Sequence, residues 1–190
     1  MSAGRPRDPA VDDAIRRAAL ALTAEAGYAG LSMEGIAARA GVAKQTIYRR
    51  YRSKGEAVLD ALSATAAVDL PAPDIGSLRG DIEALLRDSF RALRGVSGVV
   101  NRALMTEALQ DEKFAELFRR RHIDVRRDVV RHIVARARGR GEVAAGVDEE
   151  FLIDLAFGPM WYRLLVGHGP LDDAYAAEVA AALALVASGG

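Results

Sequence analysis

Residues 31–54 read LSMEGIAARAGVAKQTIYRRYRSK, and the spacing of their capping, apolar and basic side chains decides the fold of the amino-terminal third. Ser32 is an N-cap for a short helix over Met33–Ala40, and Gly41 ends that helix in a left-handed conformation. A second short helix, Lys44–Tyr51, follows after three residues. Helices joined this tightly cross steeply instead of lying antiparallel, which is the geometry of a helix-turn-helix. On the second helix Ile47 and Tyr51 point the same way and meet Ile36, Ala37, Ala40 and Val42 in a small core. Ala37 and Gly41 keep the corner tight. The opposite face carries Gln45 and Arg49, flanked by Lys44, Thr46 and Tyr48.

That outward set suits double-stranded DNA. Gln matches adenine N6/N7 and Arg matches guanine O6/N7 in a major groove, while Lys, Thr and Tyr can hold phosphates. Charge distribution agrees with this, although the net charge is zero. Between Gly35 and Gly55 there are six basic residues (Arg39, Lys44, Arg49, Arg50, Arg52, Lys54) and no acidic one. Between Gly141 and Gly190, eight acidic residues stand against the single Arg163. Such asymmetry is the footprint of an anionic partner at one end of the chain; a plain solvated face is the alternative reading of the cluster.

Outward from this core, the remaining pattern is helical and no stretch alternates like a strand. Ile15, Ala18, Ala19, Leu22 and Ala26 form one face of a first helix. Pro9 fits its first turn, Asp12 and Asp13 suit its positive end, and Gly27 is a left-handed terminator. Ser53–Glu56 has the S-x-x-E form of a capping box and opens a fourth helix to about Val68. Pro71 and Pro73 end it and divide the chain into a region over 1–70 and another over 74–190. Helical stretches follow at Leu78–Leu93, Asn101–Leu109 and Glu112–Arg138, the last broken near His122. Glycines at 139, 141 and 146 punctuate the loop to Asp148–Val166, where Pro159 is expected to free the Leu155 carbonyl and bend the helix. Asp172 caps a final Ala-rich helix to about Val186. The expected fold is all-α, with eight or nine helices: a helix-turn-helix domain followed by a helical bundle.

The 31–54 stretch is similar to the DNA-binding signature of TetR-type regulators: a hydroxyl residue opening helix two, I-A-x-x-A-G-V at the turn, T-[LI]-Y in the recognition helix, and S-K at the start of helix four. The resemblance covers about residues 10–60. It implies that Ser32, Tyr48 and Lys54 contact phosphates and that the exposed face of Lys44–Arg49 reads bases, with Arg50 beside it. The sequence departs from the pattern at Ala43, where the family often has Ser, at Gln45, where it often has a small residue, and at Arg50-Tyr51, where it usually has His-Phe. The stretch Phe157–Leu165 with Pro170-Leu171-Asp172 resembles the carboxyl-terminal part of one subgroup, whose last two helices form a four-helix dimer interface. On that basis the expected dimer residues are Leu155, Tyr162, Tyr175, Val179, Leu183 and Val186. The resemblance further implies a homodimer on a palindromic operator, released by a small-molecule effector. Phe90, Met105, Phe114, Phe118, His122, Phe157, Met160 and Trp161 are large residues in the right region for its pocket, although apolar helical stripes are chiefly packing. A ligand-independent or architectural DNA binder is the nearest alternative, and a helical small-molecule enzyme a more distant one.

Other signals carry less. Gly139–Ala144 fits G-x-G-x-x-A but follows a helix, so the βαβ context of a dinucleotide loop is missing. The arginine series from Arg119 to Arg140 is interleaved with Glu116, Asp124 and Asp128, the pattern of a solvated, ion-paired helix. His122, His132 and His168 are too dispersed for a metal site, and no acid–base–nucleophile cluster suggests catalysis or a cofactor. There is no cysteine. With no signal-peptide pattern at the start and no run of about 18 apolar residues, the expected location is the cytoplasm and no membrane partner is expected.

Overall fold

A computed structural model of the chain describes residues 8–69 and 72–190, with the side chains of 65–69 left aside; Pro71 and the first residues of the sequence lie outside the described residues. Ten α-helices run in the order α1 Pro9–Ala26, α2 Met33–Ala40, α3 Lys44–Arg50, α4 Lys54–Asp69, α5 Leu78–Leu93, α6 Val96–Ala108, α7 Glu112–Phe118, α8 Asp124–Gly139, α9 Glu149–Val166 and α10 Asp173–Ala187. A single π-helical turn, Arg119–Ile123, joins α7 to α8 without a break in the helical path. Counted as one helix, those three pieces bring the total among the described residues to nine. The described residues contain no strand.

The local signals act largely as their chemistry requires. Asp8 accepts from the Ala10 amide at 3.0 Å, and Ser32, Ser77, Asp111, Asp148 and Asp172 cap the starts of α2, α5, α7, α9 and α10 in the same way. Each satisfies an amide that the first helical turn leaves unpaired. Gly41 is left-handed, with φ 67° and ψ 29°. Gly27 also has a positive φ of 69°, but its ψ of 169° places it in an extended region open to glycine and not in the left-handed helical one expected. On α1 the inward row is Ile15, Ala18, Ala19 and Thr23, with Leu22 half-buried and Ala26 exposed. Thr23 is tolerated inside because its hydroxyl donates to the Ala19 carbonyl at 2.7 Å.

α6 begins five residues before the helix expected from Asn101. Val96, Gly98, Val99 and Val100 are poor helix formers, but packing overrides that preference: Gly98, Val100 and Leu104 are buried. Gly98 is there because nothing larger fits. A Cβ at that position would stand 2.0 Å from the Leu93 carbonyl oxygen.

Two apolar cores hold the chain together. One gathers Leu78, Ile82, Leu86 and Phe90 of α5, Val130, Ile133 and Val134 of α8, Leu152, Ile153 and Met160 of α9, and Val179 and Leu183 of α10. The other joins Ile15, Ile36, Ile47, Val58 and Leu59 of the first four helices to Val100 and Leu104 of α6 and Phe114 and Phe118 of α7. The amino-terminal core therefore does not close on itself within the expected 1–70 region: α6 and α7 complete it. Trp161 packs against both cores.

Gly98→Ala should lower stability by about 1–3 kcal/mol through overpacking. Gly158→Ala, at an exposed mid-helix position with open space around its Cβ, should be neutral or stabilising by up to about 1 kcal/mol. Urea denaturation of the two variants measures both; equal effects would contradict the close contact at Gly98.

Candidate nucleic-acid interface and the cleft behind it

α3 is only seven residues long and opens on Ala43, which offers no side-chain cap. Its direction is instead set by what it buries. Ile47 is fully buried and Tyr51, just past its end, nearly so. The Tyr51 hydroxyl donates to Asp60 Oδ2 at 2.8 Å, and Arg16 Nε donates to the same oxygen at 2.8 Å, so α1, α3 and α4 meet on one carboxylate. Burial, followed by the bond to Asp60, raises the Tyr51 phenol well above its usual range and keeps it a donor. With that face held inward, Gln45, Lys44, Tyr48 and Arg49 are exposed and Thr46 is half-buried. Arg49 makes no hydrogen bond or ion pair with any described residue.

The acidic residues that bound the basic stretch turn back into it. Glu34 Oε1 accepts from Lys44 Nζ at 2.7 Å and from Tyr48 Oη at 3.0 Å. Lys44 is the largest reason that its carboxyl is held down at about 2. Glu34 thus occupies, in the free protein, the donors expected to hold phosphate. At the other boundary Glu56 accepts from the Arg52 amide at 2.9 Å while Ser53 Oγ accepts from the Glu56 amide at 3.1 Å. This is a capping box displaced by one residue on its return arm.

Three expected DNA contacts are tied into the protein. Ser32 Oγ accepts from the Gly35 amide at 3.0 Å, which leaves its proton free to donate outward. Lys54 Nζ donates to the Tyr28 carbonyl at 2.9 Å and the Leu31 carbonyl at 3.1 Å, and lies over the Tyr28 ring. Two of its three protons therefore hold the α1–α2 loop. Arg50 is removed from the reading face altogether: its side chain is 8% exposed and Nε donates to Asp12 Oδ1 at 2.5 Å. Its position next to Arg49 in sequence puts it about 100° around the helix, against α1.

In the carboxyl-terminal part the expected pocket residues mostly pack as core. Phe90, Phe114, Phe118, His122 and Met160 are buried, and Met105 packs against the amino-terminal core. Phe90 stacks on Tyr175 and Phe118 on His122, while Trp161 meets Phe118 edge to face. The space lies beside them. A cleft of about 200 Å³ is lined by Ile123, Arg126, Arg127, Asp154, Phe157, Gly158 and Trp161. Phe157 and Trp161 are the two expected pocket residues that reach it. Arg126 was hidden by its place in a basic series that reads as a solvated face. His122 sits behind the cleft wall, and burial together with the nearby Arg126 pushes its imidazole down to about 3.

The expected dimer residues divide in the same manner. Val179 and Leu183 are 7% and 1% exposed and belong to the protomer's own core. Tyr175 lies between Phe90 and the guanidinium of Arg163, and Leu155 is half-buried against the same core. Tyr162 and Val186 are exposed, together with Phe151, Leu165, Val166 and Leu185. Of the four residues expected on α10, Val186 lies on the apolar face left open, and Tyr175, Val179 and Leu183 are turned toward the protomer's own core.

No helix among the described residues is long and apolar enough to cross a membrane, and no group of three metal-ligating side chains converges among them.

Two short helices joined by a three-residue turn, the second basic and solvent-facing, on an all-α body have the arrangement of a helix-turn-helix DNA-binding protein. Comparison with known proteins gives the family. The model for bacterial regulatory proteins of the tetR family matches residues 15–62, and that for the tetracyclin repressor-like C-terminal domain matches 72–183. The chain is 35% identical over 176 residues to an uncharacterized HTH-type transcriptional regulator, YdeS of Bacillus subtilis (strain 168), covering 93% of this chain and 89% of that one. It is 33% identical over 163 residues to the DNA-binding transcriptional repressor TetR of Mycobacteroides abscessus, covering 85% of each. Among solved structures it resembles the TetR family transcription regulator SCO0332, with TM-score 0.79 and 30% identity over 92% of this chain and 96% of that one. The chain belongs to the TetR family: it is a DNA-binding transcriptional regulator and not an enzyme.

Two predictions follow from the geometry. Glu34→Gln breaks the ion pair with Lys44, leaves only a neutral acceptor for Tyr48, and removes a negative charge from the exposed basic face. DNA affinity should rise severalfold, with the log–log salt slope steeper by about one; anisotropy titration at several salt concentrations measures it, and weaker binding would show that Glu34 positions those donors. For His122, the unfolded chain protonates near 6.5 and the fold near 3, so between these values the unfolded state holds the extra proton. Its contribution to stability is full above 6.5 and is lost as pH falls toward 3, at up to about 1.4 kcal/mol per pH unit. His122→Gln should flatten the acid limb of stability in urea denaturation; an unchanged limb would place the titration elsewhere.

Proposed function

We propose that the protein is a homodimeric repressor that reads a two-fold symmetric operator through Gln45 and Arg49 and leaves it when a small molecule occupies the cleft beside Trp161. The observation that carries the reading is the free guanidinium of Arg49, exposed on the face of α3 opposite buried Ile47. An arginine so placed is available for the O6/N7 edge of guanine. Lys44, Thr46, Tyr48 and Ser32 would hold phosphates around it, and Lys54 would add one remaining proton while bracing the loop behind. The division of labour is a reading head over 1–70 and a regulatory part over 74–190 that also supplies α6 and α7 to the head's core.

Dimerisation supplies the symmetry. The exposed row Phe151, Tyr162, Leu165 and Val166 on α9, with Leu185 and Val186 on α10, is the apolar surface a second copy would cover. Release follows if the effector binds better to a form whose two reading heads are wrongly spaced for successive major grooves. Packing offers a route: Trp161 of the cleft meets Phe118, whose π turn lies along α4, where Ser63 Oγ donates to the Arg121 carbonyl at 3.3 Å.

Selection of random and genomic DNA fragments on the purified protein should enrich a two-fold symmetric site; salt-sensitive binding without an enriched site would favour a ligand-independent architectural role. On the selected site Arg49→Ala should cost about 1–3 kcal/mol and relax preference at one base pair. Uniform weakening on all sequences would make Arg49 a phosphate contact. In sedimentation, Tyr162→Asp with Leu185→Asp should give folded monomers, whereas Leu183→Asp should unfold the protomer. Folded dimers of the double variant would move the interface to another face.

A further inference from the structure

Arg126 stands in the first turn of α8, immediately after the π turn, and differs from Arg127, Arg131, Arg136 and Arg140; Arg138, which also lacks a carboxylate partner among the described residues, is exposed to solvent. Arg127 pairs with Glu150 and Asp154 at 2.6 Å each. Arg131 pairs with Asp128 and Glu150, Arg136 with Asp74 and Asp81, and Arg140 with Asp81 and Glu142. Arg126 has no carboxylate within ion-pair distance among the described residues. Among the described residues its one polar partner is Ser89 Oγ on α5, to which Nη2 donates at 2.8 Å, and its guanidinium lies 5.5 Å from the centre of the Phe157 ring. Burial lowers it to about 10, so it remains a cation at neutral pH.

A part-buried cation without a counter-charge carries a solvation cost that no partner offsets, and one guanidinium hydrogen bond leaves most of its donors unused. These donors belong to a residue that lines the cleft, where Ile123, Phe157, Gly158 and Trp161 supply apolar walls. A planar guanidinium fork matches a carboxylate through two parallel hydrogen bonds. Asp154 on the same cleft pairs with Arg127 through Oδ1 and makes no ion pair with Arg126; its charge also disfavours a second negative group on a ligand. The volume of about 200 Å³ lies below the ~300–1,000 Å³ of drug-sized sites, which limits the apolar body to a single ring or a short chain.

We propose that the cleft takes a small apolar monocarboxylic acid, its carboxylate held by Arg126 and its body lying against Phe157 and Trp161. The proposal rests on the reading of this cleft as the effector site, and it names the chemistry of the effector. Binding would replace a missing counter-ion in the first turn of α8, next to the π turn that packs on α4.

The chain has one tryptophan, Trp161, so its fluorescence reports directly on the cleft. Full-length protein is titrated with benzoate and cyclohexanecarboxylate and with their uncharged amides. The acids should produce a saturable change, and the amides should bind roughly ten-fold or more weakly. Arg126→Gln should remove that preference while leaving the response to the amides, which shows that the cleft is still formed; Arg126→Lys should retain part of it. Equal affinity of acids and amides, no saturation by either acid at millimolar concentration, or an acid preference that survives Arg126→Gln would each overturn the proposal. Operator release is followed in parallel with labelled DNA. Acid-saturated protein that stays on its operator would contradict effector release while upholding the acid site. Operator binding by a protein indifferent to both acids would overturn the acid site alone.

Discussion

Burial of Ile47 and Tyr51 fixes the rotation of α3, and the function of the protein depends on that rotation. A helix of seven residues without a side-chain cap has little stability of its own. Its phase comes from the apolar contact beneath it and from Asp60, where Tyr51 of the α3 end and Arg16 of α1 converge. Given that phase, Gln45 and Arg49 are directed outward and Arg50 inward, whatever their chemical similarity. Lys54 secures the loop from the other side by its bonds to Tyr28 and Leu31. The exposed face of α3 is therefore a consequence of the core, and buried residues decide which side chains it carries.

Sequence periodicity made most of the architecture legible. The bounds of α2 and α5 follow from their caps and apolar spacing, and Ser32 and Asp172 act as the caps their positions suggest. Legibility ended where a side chain's partner lies far away in sequence. Arg50 and Asp12 are 38 residues apart, Lys54 and Tyr28 are 26 apart, and neither pairing leaves a periodic trace. α6 was obscured by Val and Gly residues whose helical state is imposed by packing. On α10 a run of alanine and valine gives almost no amphipathic signal, so the buried and open faces could not be told apart. The cleft was obscured for a related reason: large aromatic residues mark packing at least as often as they mark space, and Arg126 is one member of a long basic series.

The two halves share structure more than the prolines near residue 70 suggest. α6 and α7 close the core of the reading head, while the helix that continues from α7 passes through the π turn into α8 and the wall of the cleft. A π turn inserts one residue's worth of extra backbone into a helix and is common at functional positions. Here it lies between Phe118, in the amino-terminal core, and Arg126, in the cleft. Gly55 reinforces the connection, since a Cβ there would stand 2.5 Å from the Glu107 carboxylate of α6. A change at the cleft therefore bears on elements that the head needs for its own packing, a physical setting in which two discrete arrangements can be coupled.

We propose that α3, set by Ile47 and Tyr51, is the surface that meets DNA and that the arginines of α8 are not. Amide hydrogen exchange of the full chain, with and without a duplex carrying its selected site, tests it most directly. The account predicts slowed exchange on DNA binding over 32–54, strongest at the starts of α2 and α3, with 119–140 little changed. Protection confined to 119–140, with 32–54 exchanging as in the free protein, would contradict it.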